Sequence, residues 1–356
     1  MSDILFEQIG RLGLVTLNRP KSLNALTLDM CRQHHKQIRI WDQKPDIAAI
    51  LIRGAGGRAF CAGGDVVDLY HLCKDSGDKG QEEWEGFFAD EYRMNHATSN
   101  LRKTYISLVD GIFMGGGVGI SVHGPVRIAG DTSRFAMPET GIGMIPDVGG
   151  TYLLSQMPGA IGTYLGLVGA HLKTSDCLYS GVVTHYIPTD RHEDLIDQLA
   201  YGSQDVMALV DGLAADPGPA SMLELRPGID RVFAHDSMEK IMESLAKEDM
   251  IENDWNVSVQ KTIERLSPIS LKLTLEAIRI ARGQSLMQCL INEYRIVCAI
   301  RCGHDFFEGI RAQLVDKDRK PCWSPASIEN VTQEMLAPYF APPASGDLII
   351  DESTTT

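Results

Sequence analysis

The pattern of apolar and polar positions in the first half of the chain alternates between strands and helices. Short apolar runs at residues 12–17, 47–52 and 105–109 predict strands, and the second is continuous, as in a strand covered on both faces. Between the first two runs, Thr27 is placed to cap a helix whose apolar positions fall mostly on one face. Residues 126–129 predict a further strand. This alternation predicts an α/β fold.

The pattern changes near residue 190, where charged and amphipathic helical segments replace the alternation. The predicted helical segments are residues 193–207, 237–266, 270–282 and 286–301. We therefore expect two parts. Residues 1–190 would form an α/β core, and residues 191–356 would form a mainly helical region that packs on the core and ends in a frayed tail.

Composition and charge narrow the classes of function. The chain has 356 residues, of which 44% are hydrophobic and 22% are charged, as in ordinary globular proteins. No apolar run reaches the ~18 residues that a membrane span requires. The formal net charge of -14 argues against binding to nucleic acid or to an anionic membrane, because a phosphate backbone attracts cations. An anionic small ligand held by local backbone amides is still compatible with this charge.

The cysteines and the chain ends carry further expectations. The eight cysteines are scattered, without a CxxC pair or a His/Cys cluster at zinc spacing, which favours reduced thiols and predicts no metal site. Residues 1–6 lack the basic stretch and apolar run of a signal peptide, and residues 351–356 carry no targeting motif. The sequence therefore predicts a cytoplasmic location.

Three short motifs suggest familiar chemistry but are better explained by structural roles. The glycine run that starts at Gly115 follows a predicted strand, but the dinucleotide fingerprint would need a glycine where Ile120 stands. Ser121 lies in a near match to the serine-hydrolase elbow, which ends in His123 and falls inside a predicted helix. A structural serine and a structural histidine are favoured. Cys61 has apolar neighbours, which favours a packed thiol over a nucleophile.

Two glycine-rich loops could together bind an oxygen atom through the main chain. Residues 54–65 and 115–117 each follow a predicted buried strand, and their glycines leave backbone N–H groups unshielded. The amides of the second loop would also lie at a helix N-terminus, with its partial positive charge. If the two loops converge, they form an oxyanion hole made of main-chain amides.

Two carboxyl side chains, Glu139 and Asp147, lie eight residues apart in a segment of apolar residues and glycines. Neither has a cation next to it in the sequence. One interpretation is structural, with each side chain capping a local turn or helix. The other is functional, because burial would raise the pKa of one carboxyl and prepare it for acid–base or nucleophilic work. The residues by themselves leave both interpretations open.

These segments, in this order and spacing, resemble the crotonase (enoyl-CoA hydratase/isomerase) superfamily. The resemblance runs from about residue 13 to 185 and implies a fold built as a spiral of ββα units. The amides of Gly64 and Gly116 match the pair that polarises the thioester carbonyl of an acyl-CoA. The family's loop around the adenosine diphosphate end of coenzyme A corresponds here to Arg58, Ala59, Ala62 and Gly63.

The chain departs from the hydratase pattern at two positions. Hydratases carry one catalytic glutamate three residues after the second oxyanion glycine, where this chain has Gly119, and another at the position of Glu139. Asp147 stands where hydratases typically carry glycine. Glu139 with Asp147 is the pattern of the 3-hydroxyisobutyryl-CoA hydrolase branch, and Glu91 resembles a substrate-contacting glutamate of that branch. Most of the chain outside residues 191–265 is similar to it.

The resemblance implies hydrolysis of a short 3-hydroxyacyl-CoA thioester, most simply 3-hydroxyisobutyryl-CoA in valine catabolism. Glu139 and Asp147 would be catalytic, the two glycine amides would bind the oxyanion, and Glu91 would bind the substrate hydroxyl. No cofactor or metal is implied, because coenzyme A is part of the substrate, and a homo-oligomer is compatible with the resemblance. Two alternatives stay open: an enoyl-CoA hydratase or isomerase acting on another acyl-CoA, and a non-catalytic acyl-CoA-binding protein.

Overall fold

A computed structural model describes residues 2–74, 77–248 and 254–350 of the chain. Its strands are β1 (Ile4–Ile9), β2 (Leu12–Leu17), β3 (Ala49–Gly54), β4 (Ala59–Cys61), β5 (Thr104–Val109), β6 (Ile112–Met114), β7 (Val126–Ala129), β8 (Arg134–Ala136), β9 (Leu172–Lys173) and β10 (His185–Tyr186).

Its helices in the first half are α1 (Leu28–Gln43), α2 (Val66–Lys74), α3 (Gly77–Ser99), α4 (Gly116–Val122), α5 (Gly150–Ser155), α6 (Ile161–Val168) and α7 (Thr174–Ser180). Those in the second half are α8 (His192–Tyr201), α9 (Val206–Leu213), α10 (Met222–Phe233), α11 (Met238–Lys247), α12 (Trp255–Ile263), α13 (Pro268–Ala281), α14 (Leu286–Ile300), α15 (Asp305–Ile310) and α16 (Gln333–Leu336). A π-helix, Arg311–Val315, continues α15.

The strands form two sheets between which the chain alternates. A six-stranded sheet has the order β1-β2-β3-β5-β7-β10, and a four-stranded sheet has the order β4-β6-β8-β9. β3, β5 and β7 belong to the larger sheet. Each is followed along the chain by a strand of the smaller sheet, β4, β6 and β8 respectively. Pairing within both series is parallel. The α/β prediction and the spiral of ββα units implied by the resemblance are confirmed.

The side-chain pattern explains why these segments fold as they do. β2 is buried at every position and pairs in parallel with β3, whose first four residues are also buried, so the sheet is covered on both faces. The N-terminus of α1 is capped by Thr27, whose hydroxyl oxygen accepts a hydrogen bond from the amide of Met30 at 3.2 Å. The cap predicted from the sequence is confirmed.

The helices after residue 190 share a core with the strands. Leu195 of α8 and Val210 of α9 pack with residues such as Leu14 on one face of the larger sheet. A second, larger cluster includes buried residues from both halves of the chain. The indole N–H of Trp84 on α3 donates a hydrogen bond to the carbonyl oxygen of Val297 on α14 at 2.9 Å. The division of the chain near residue 190 stays a prediction.

The predicted helices of the second half are partly confirmed. α13 and α14 match the two amphipathic segments, and the side chains of Ser267 and Ser285 cap them. The helical stretch predicted at 193–207 is α8 and the start of α9, and Asp205 begins the second helix by accepting hydrogen bonds from two amides of its first turn. The stretch predicted at 237–266 is α11 and α12, and residues 249–253 between them lie outside the described residues.

The end of the described chain is anchored to the protein. Arg295 pairs with the carboxylate of Asp347 through two hydrogen bonds of 2.6 and 2.7 Å, and Leu348 is buried. Residues 351–356, on which the prediction of a frayed tail falls, lie outside the described residues. None of the helices in the described part of the chain combines the length and the apolar character of a membrane span.

Candidate active site

The pairing of β4 with β6 brings the two glycine-rich loops together. Cys61 lies opposite Phe113 in this parallel pair, and each is followed three residues later by a glycine, Gly64 and Gly116. A Cβ atom placed on Gly116 would lie only 3.1 Å from the amide nitrogen of Gly64. The two glycines are therefore close neighbours, as an oxyanion hole built from both loops requires.

The geometry directs both amides away from main-chain acceptors. Gly64 forms a parallel bridge with Leu26, in which Leu26 donates to the carbonyl of Gly63 and Asp65 donates to the carbonyl of Leu26. The N–H group of Gly64 consequently points away from Leu26. Gly116 is the first residue of α4, so its N–H group has no acceptor within the helix. Both amides are oriented to receive a ligand oxygen.

One cavity of about 580 Å³ opens at these amides. Its wall includes apolar side chains such as Phe87, Met144 and Leu266. The predicted site residues in the lining are Ala62, Gly63, Gly64, Glu91, Gly116, Glu139 and Asp147. The structure thus brings together the amide pair and the three carboxyl groups that the sequence singles out.

The three carboxyl groups reach the cavity from different elements. Glu91 lies on α3, Glu139 starts a short 3-10 helix after β8, and Asp147 lies in the loop before α5. Each of the three is at most 6% exposed. A Cβ atom placed on Gly115 would lie 3.2 Å from Oε1 of Glu139, and one placed on Gly116 would lie 2.7 Å from Oε1 of Glu91. Glycine at these positions leaves room for both carboxyl groups beside the amides.

Burial without a neighbouring cation raises the pKa of all three carboxyls. Among the described residues that line the cavity there is no Lys, Arg or His. Burial, reinforced by the charge of Asp147, raises the pKa of Glu139 well above its usual value and that of Glu91 to about 8. Burial raises the pKa of Asp147 to about 6, opposed by a hydrogen bond from Tyr92. Asp147 is therefore the most readily ionised of the three.

The cavity contains polar atoms that lack a protein partner. Oε2 of Glu139 and Oε1 of Glu91 are buried and accept no hydrogen bond within the described part of the protein. Buried polar atoms are nearly always satisfied, so such exceptions point to a ligand or water. Oδ2 of Asp147, by contrast, accepts a hydrogen bond of 2.7 Å from the hydroxyl of Tyr92. Sequence reasoning missed Tyr92, although it follows Glu91 directly.

The loop that carries Asp147 is held by side chains from several elements. The carbonyl oxygen of Val148 lies 2.7 Å from Nε2 of His123 and 3.4 Å from Nδ2 of Asn95. The carboxylate of Glu293, on α14, accepts hydrogen bonds from the amides of Gly149 and Thr151 and from the hydroxyl of Thr151. These residues were not predicted to serve the site, because their contacts join segments far apart in the sequence.

Two predicted coenzyme A contacts lie outside the cavity lining. Arg58 is exposed, and Ala59 is buried in β4, where its carbonyl accepts a hydrogen bond from the side chain of Asn24 at 2.9 Å. Asn24 also bonds the carbonyl of Ala55 at 2.9 Å and so shapes this loop from inside. The roles of Arg58 and Ala59 in binding coenzyme A stay a prediction.

The structural explanations of Ser121, His123 and Cys61 are confirmed. Ser121 donates a hydrogen bond to the carbonyl of Gly117 one turn earlier in α4, at 2.7 Å. Nε2 of His123 lies within hydrogen-bond distance of the carbonyl oxygen of Val148. Burial raises the pKa of Cys61 to about 12, which makes it a packed thiol. All eight cysteines are described and free. No group of described His, Cys, Asp and Glu side chains is arranged to hold a metal ion.

The spiral fold, with a pair of glycine amides beside buried carboxyls in a largely apolar cavity, points to a protein of the spiral ββα class. Comparison with known proteins identifies the class more closely. The sequence model of the enoyl-CoA hydratase/isomerase family matches residues 12–340. The chain belongs to this family.

Curated relatives cover nearly the whole chain. The mitochondrial 3-hydroxyisobutyryl-CoA hydrolase of Mus musculus is 41% identical over 98% of this chain and 91% of its own length. The protein of the same name from Homo sapiens is 39% identical over 97% of this chain and 90% of its own length. The cytoplasmic location predicted from the sequence is contradicted by these relatives, which are mitochondrial by name.

Solved structures show the same fold. A carnitinyl-CoA dehydratase from Mycobacterium thermoresistibile has a TM-score of 0.91 and 40% identity, covering 99% of this chain and 100% of that one. An enoyl-CoA hydratase from Rhodobacter sphaeroides 2.4.1 has a TM-score of 0.87 and 36% identity, covering 98% of this chain and 100% of that one.

Proposed function

We propose that the chain hydrolyses 3-hydroxyisobutyryl-CoA to 3-hydroxyisobutyrate and coenzyme A. The observation that carries the proposal is the placement of two buried carboxyls, Glu139 and Asp147, in one cavity with the amides of Gly64 and Gly116. Curated relatives that bear the name of this activity are about 40% identical over nearly the whole chain. The reaction needs no cofactor, because coenzyme A is part of the substrate.

The amide pair supplies the electrostatic part of the mechanism. The thioester carbonyl oxygen would accept hydrogen bonds from Gly64 and Gly116. When a nucleophile adds to the carbonyl carbon, negative charge develops on that oxygen and both bonds strengthen. Loss of one such donor typically costs ~3 kcal/mol of barrier, so the pair is a leading contribution.

The carboxyls supply the nucleophile and move the protons. In its ionised form, Glu139 attacks the carbonyl carbon and expels the thiolate, giving a mixed anhydride that water then hydrolyses. Alternatively it takes a proton from water, and the resulting hydroxide adds to the carbonyl carbon. Asp147 orients the water and handles protons at the substrate hydroxyl and the leaving thiol. Both routes end with one carboxylic acid and one thiol.

The remaining predicted residues would bind the substrate. The unpartnered Oε1 of Glu91 is placed to accept a hydrogen bond from the 3-hydroxyl group. Ala62 and Gly63 line the cavity on the side of the predicted coenzyme A loop. In the proposal, Arg58 and Ala59 also belong to the loop that binds coenzyme A. The proposal further includes association of the chain into a homo-oligomer.

An enoyl-CoA hydratase is the second candidate, favoured by the similarity of the chain to the enoyl-CoA hydratase from Rhodobacter sphaeroides 2.4.1. Addition of water to a double bond requires delivery of both a proton and a hydroxyl group. The family resemblance implies that hydratases use two glutamates for this. The first of those positions is Gly119 in this chain. The side chain of Val148 occupies the space beside it.

The experiment measures thiol release across a panel of short acyl-CoA esters, with loss of the enoyl absorbance of crotonyl-CoA followed in parallel. We expect thiol release to be fastest with 3-hydroxyisobutyryl-CoA and the enoyl absorbance to persist. 3-Hydroxypropionyl-CoA differs by one methyl group, so we expect discrimination of only about 10–200-fold against it. Enoyl hydration without thiol release would replace the proposal with the second candidate.

Variants of the two carboxyls provide the controls. Glu139→Gln and Asp147→Asn should each lower kcat by ~10²–10⁴-fold, the range of a lost acid–base or nucleophilic group. Asp176→Asn is the matched control, because Asp176 is equally buried but caps the start of α10 outside the cavity. Full activity in both active-site variants would contradict the assigned roles, and an inactive wild-type chain that still binds acyl-CoA would indicate a binding protein.

A further inference from the structure

The turn that carries Asp147 has a backbone conformation that its residues do not favour by themselves. Val148 has φ 55°, a region that β-branched residues rarely adopt, and Gly149 follows with φ 79°. Strained backbone of this sort persists only where the surroundings hold it in place.

A buried side chain, Glu293 on α14, holds this turn through its backbone amides. The amide of Gly149 donates to Oε2 of Glu293 at 2.7 Å, and the amide and hydroxyl of Thr151 donate to Oε1 at 3.0 and 2.5 Å. Glu293 is fully buried. Both of its oxygens act as acceptors, and these hydrogen bonds favour the ionised form against burial, which raises the pKa of Glu293 to about 8.

Glu293 acts on the site from behind the cavity wall. Among the described residues that line the cavity, none belongs to α14. The bonds of Glu293 nevertheless begin two residues after Asp147, on the turn that fixes the direction of the Asp147 side chain. Tyr92 holds the Asp147 carboxyl itself, whereas Glu293 holds the backbone that carries it.

We propose that Glu293 is the positioning residue of Asp147: by accepting hydrogen bonds from Gly149 and Thr151, it sets where the Asp147 carboxyl stands relative to the thioester carbonyl. The proposal rests on the proposed function, since Asp147 must serve the chemistry for its position to matter. It implies that α14, in the second half of the chain, completes the active site without touching the substrate.

The test is Glu293→Gln, which keeps the size of the side chain but turns an amide NH₂ toward at least one of the three donors. We expect kcat for 3-hydroxyisobutyryl-CoA to fall by ~10²-fold, the loss associated with a displacement of about 1 Å at a reacting group. KM should change by less than about 3-fold, because the oxyanion amides and Glu91 stay in place. A kcat within about 2-fold of wild type, or a KM that rises as much as kcat falls, would overturn the proposal.

Two further variants separate positioning from loss of folding. Thr151→Val removes one donor, keeps Glu293 and should lower kcat by ~10-fold, whereas Thr151→Ser keeps the hydroxyl and should restore most of it. Asp176→Asn breaks an equally buried carboxyl cap far from the cavity lining and should leave kcat unchanged even where it lowers the melting temperature. If Glu293→Gln does not fold, the two Thr151 variants decide the matter, and equal activity in both would overturn the proposal.

Amide hydrogen exchange distinguishes failure of this proposal from failure of the proposed function. In folded Glu293→Gln, the peptide that contains residues 147–151 should exchange at least ~10-fold faster than in wild type and in Asp176→Asn. This readout needs no turnover. If the wild-type chain hydrolyses no thioester, the proposed function fails. Faster exchange in Glu293→Gln would then still show that Glu293 holds the Asp147 turn. Unchanged exchange would contradict the role of Glu293 whatever the activity.

Discussion

Val148 occupies the space that any side chain at position 119 would need. A Cβ atom placed on Gly119 would lie 2.6 Å from the Cβ of Val148 and 2.9 Å from Nδ2 of Asn95. Because Val148 directly follows Asp147, the glycine in α4 and the conformation of the Asp147 loop depend on each other. The resemblance to the crotonase superfamily implies that hydratases carry a glutamate at position 119. This backbone therefore cannot hold both arrangements of carboxyl groups at once.

Gly119→Glu is accordingly expected to lower thiol release by at least ~10²-fold without creating a hydratase, because the new side chain displaces Val148 and with it Asp147. The measurements are thiol release from 3-hydroxyisobutyryl-CoA and the absorbance of crotonyl-CoA. Adding Val148→Gly to this variant removes the nearer of the two colliding side chains and the left-handed strain, so the double variant should recover part of the yield of folded protein. Hydratase activity in the single variant with thiol release intact would contradict this prediction.

Much of the fold could be predicted from the sequence because its signals are local. The apolar run of β3, the cap at Thr27 and the two amphipathic helices α13 and α14 all follow from neighbours within a turn or a strand. The strands β4, β6 and β8 were missed, because each is only three residues long and its apolar residues merge with adjoining loops. The long helix α3 was missed as well, since its apolar residues form no narrow stripe.

The site residues likewise divide into those that a local sequence signal marks and those that it does not. Gly64, Gly116, Glu139 and Asp147 belong to segments whose glycines and isolated carboxyls mark them in the sequence, and all four line the cavity. The residues that hold the Asp147 loop carry no such mark. Glu293 lies more than 140 positions from the amides it binds, so its role depends on the pairing of α14 with the core.

Tyr92→Phe should raise the pH at which the Asp147 carboxyl ionises. The hydroxyl of Tyr92 stabilises the ionised form of Asp147 and holds its pKa near about 6 against the effect of burial. Without this donor the pKa of Asp147 rises, so a higher pH is needed to ionise it. A hydrogen bond to a charged group is worth ~1.5–3 kcal/mol, which corresponds to a shift of about 1–2 pH units.

The measurement is the titration of the Asp147 carboxyl by carbon-13 NMR in the wild type and the variant. The carboxyl itself is followed because the pKa of Glu139 is raised further and sets the acidic limb of kcat. Tyr105→Phe serves as the matched control, because this buried hydroxyl bonds the carbonyl of Ile120 and does not line the cavity. Its titration should coincide with that of the wild type. An unchanged or lowered pKa of Asp147 in Tyr92→Phe would contradict the role of Tyr92.

Glu91→Leu should remove the preference for a 3-hydroxyl group. Oε1 of Glu91 has no protein partner, and a leucine of similar size cannot accept a hydrogen bond there. The ratio of kcat/KM for 3-hydroxyisobutyryl-CoA to that for isobutyryl-CoA should fall by ~2–10-fold near pH 7, the value of one hydrogen bond to a carboxyl that burial keeps neutral. An unchanged ratio would place the hydroxyl elsewhere in the cavity.

The same substitution should stabilise the protein at alkaline pH. Burial raises the pKa of Glu91 from 4.5 to about 8, so the folded state retains its proton where the unfolded state has lost it. The stability associated with the neutral carboxyl is fully present below pH 4.5 and is lost as the pH rises through about 8. The melting temperature of Glu91→Leu relative to wild type should therefore increase from pH 5 to pH 9. A constant difference would show that the folded protein does not shift this pKa.

Glu139 is expected to attack the thioester directly. Its Oε1 lies beside Gly115, next to the oxyanion amide of Gly116, and its Oε2 has no protein partner. A carboxylate so close to the position of the carbonyl carbon favours the mixed anhydride over a water held between the two. The raised pKa of Glu139 also makes its ionised form a stronger nucleophile.

Single turnover in heavy-oxygen water, with enzyme in excess, tests this route. Water that attacks the anhydride at the Glu139 carboxyl carbon leaves heavy oxygen in Glu139 and sends an unlabelled oxygen into the product acid. Water that attacks at the acyl carbon labels the product instead, so borohydride is added in a parallel reaction to reduce any anhydride and leave Glu139 as an alcohol. Mass spectrometry of the peptide containing residue 139 reads both results, with Glu139→Gln as the blank. Absence of both the label and the alcohol would establish general-base catalysis by Glu139, because only that route never joins the acyl group to the protein.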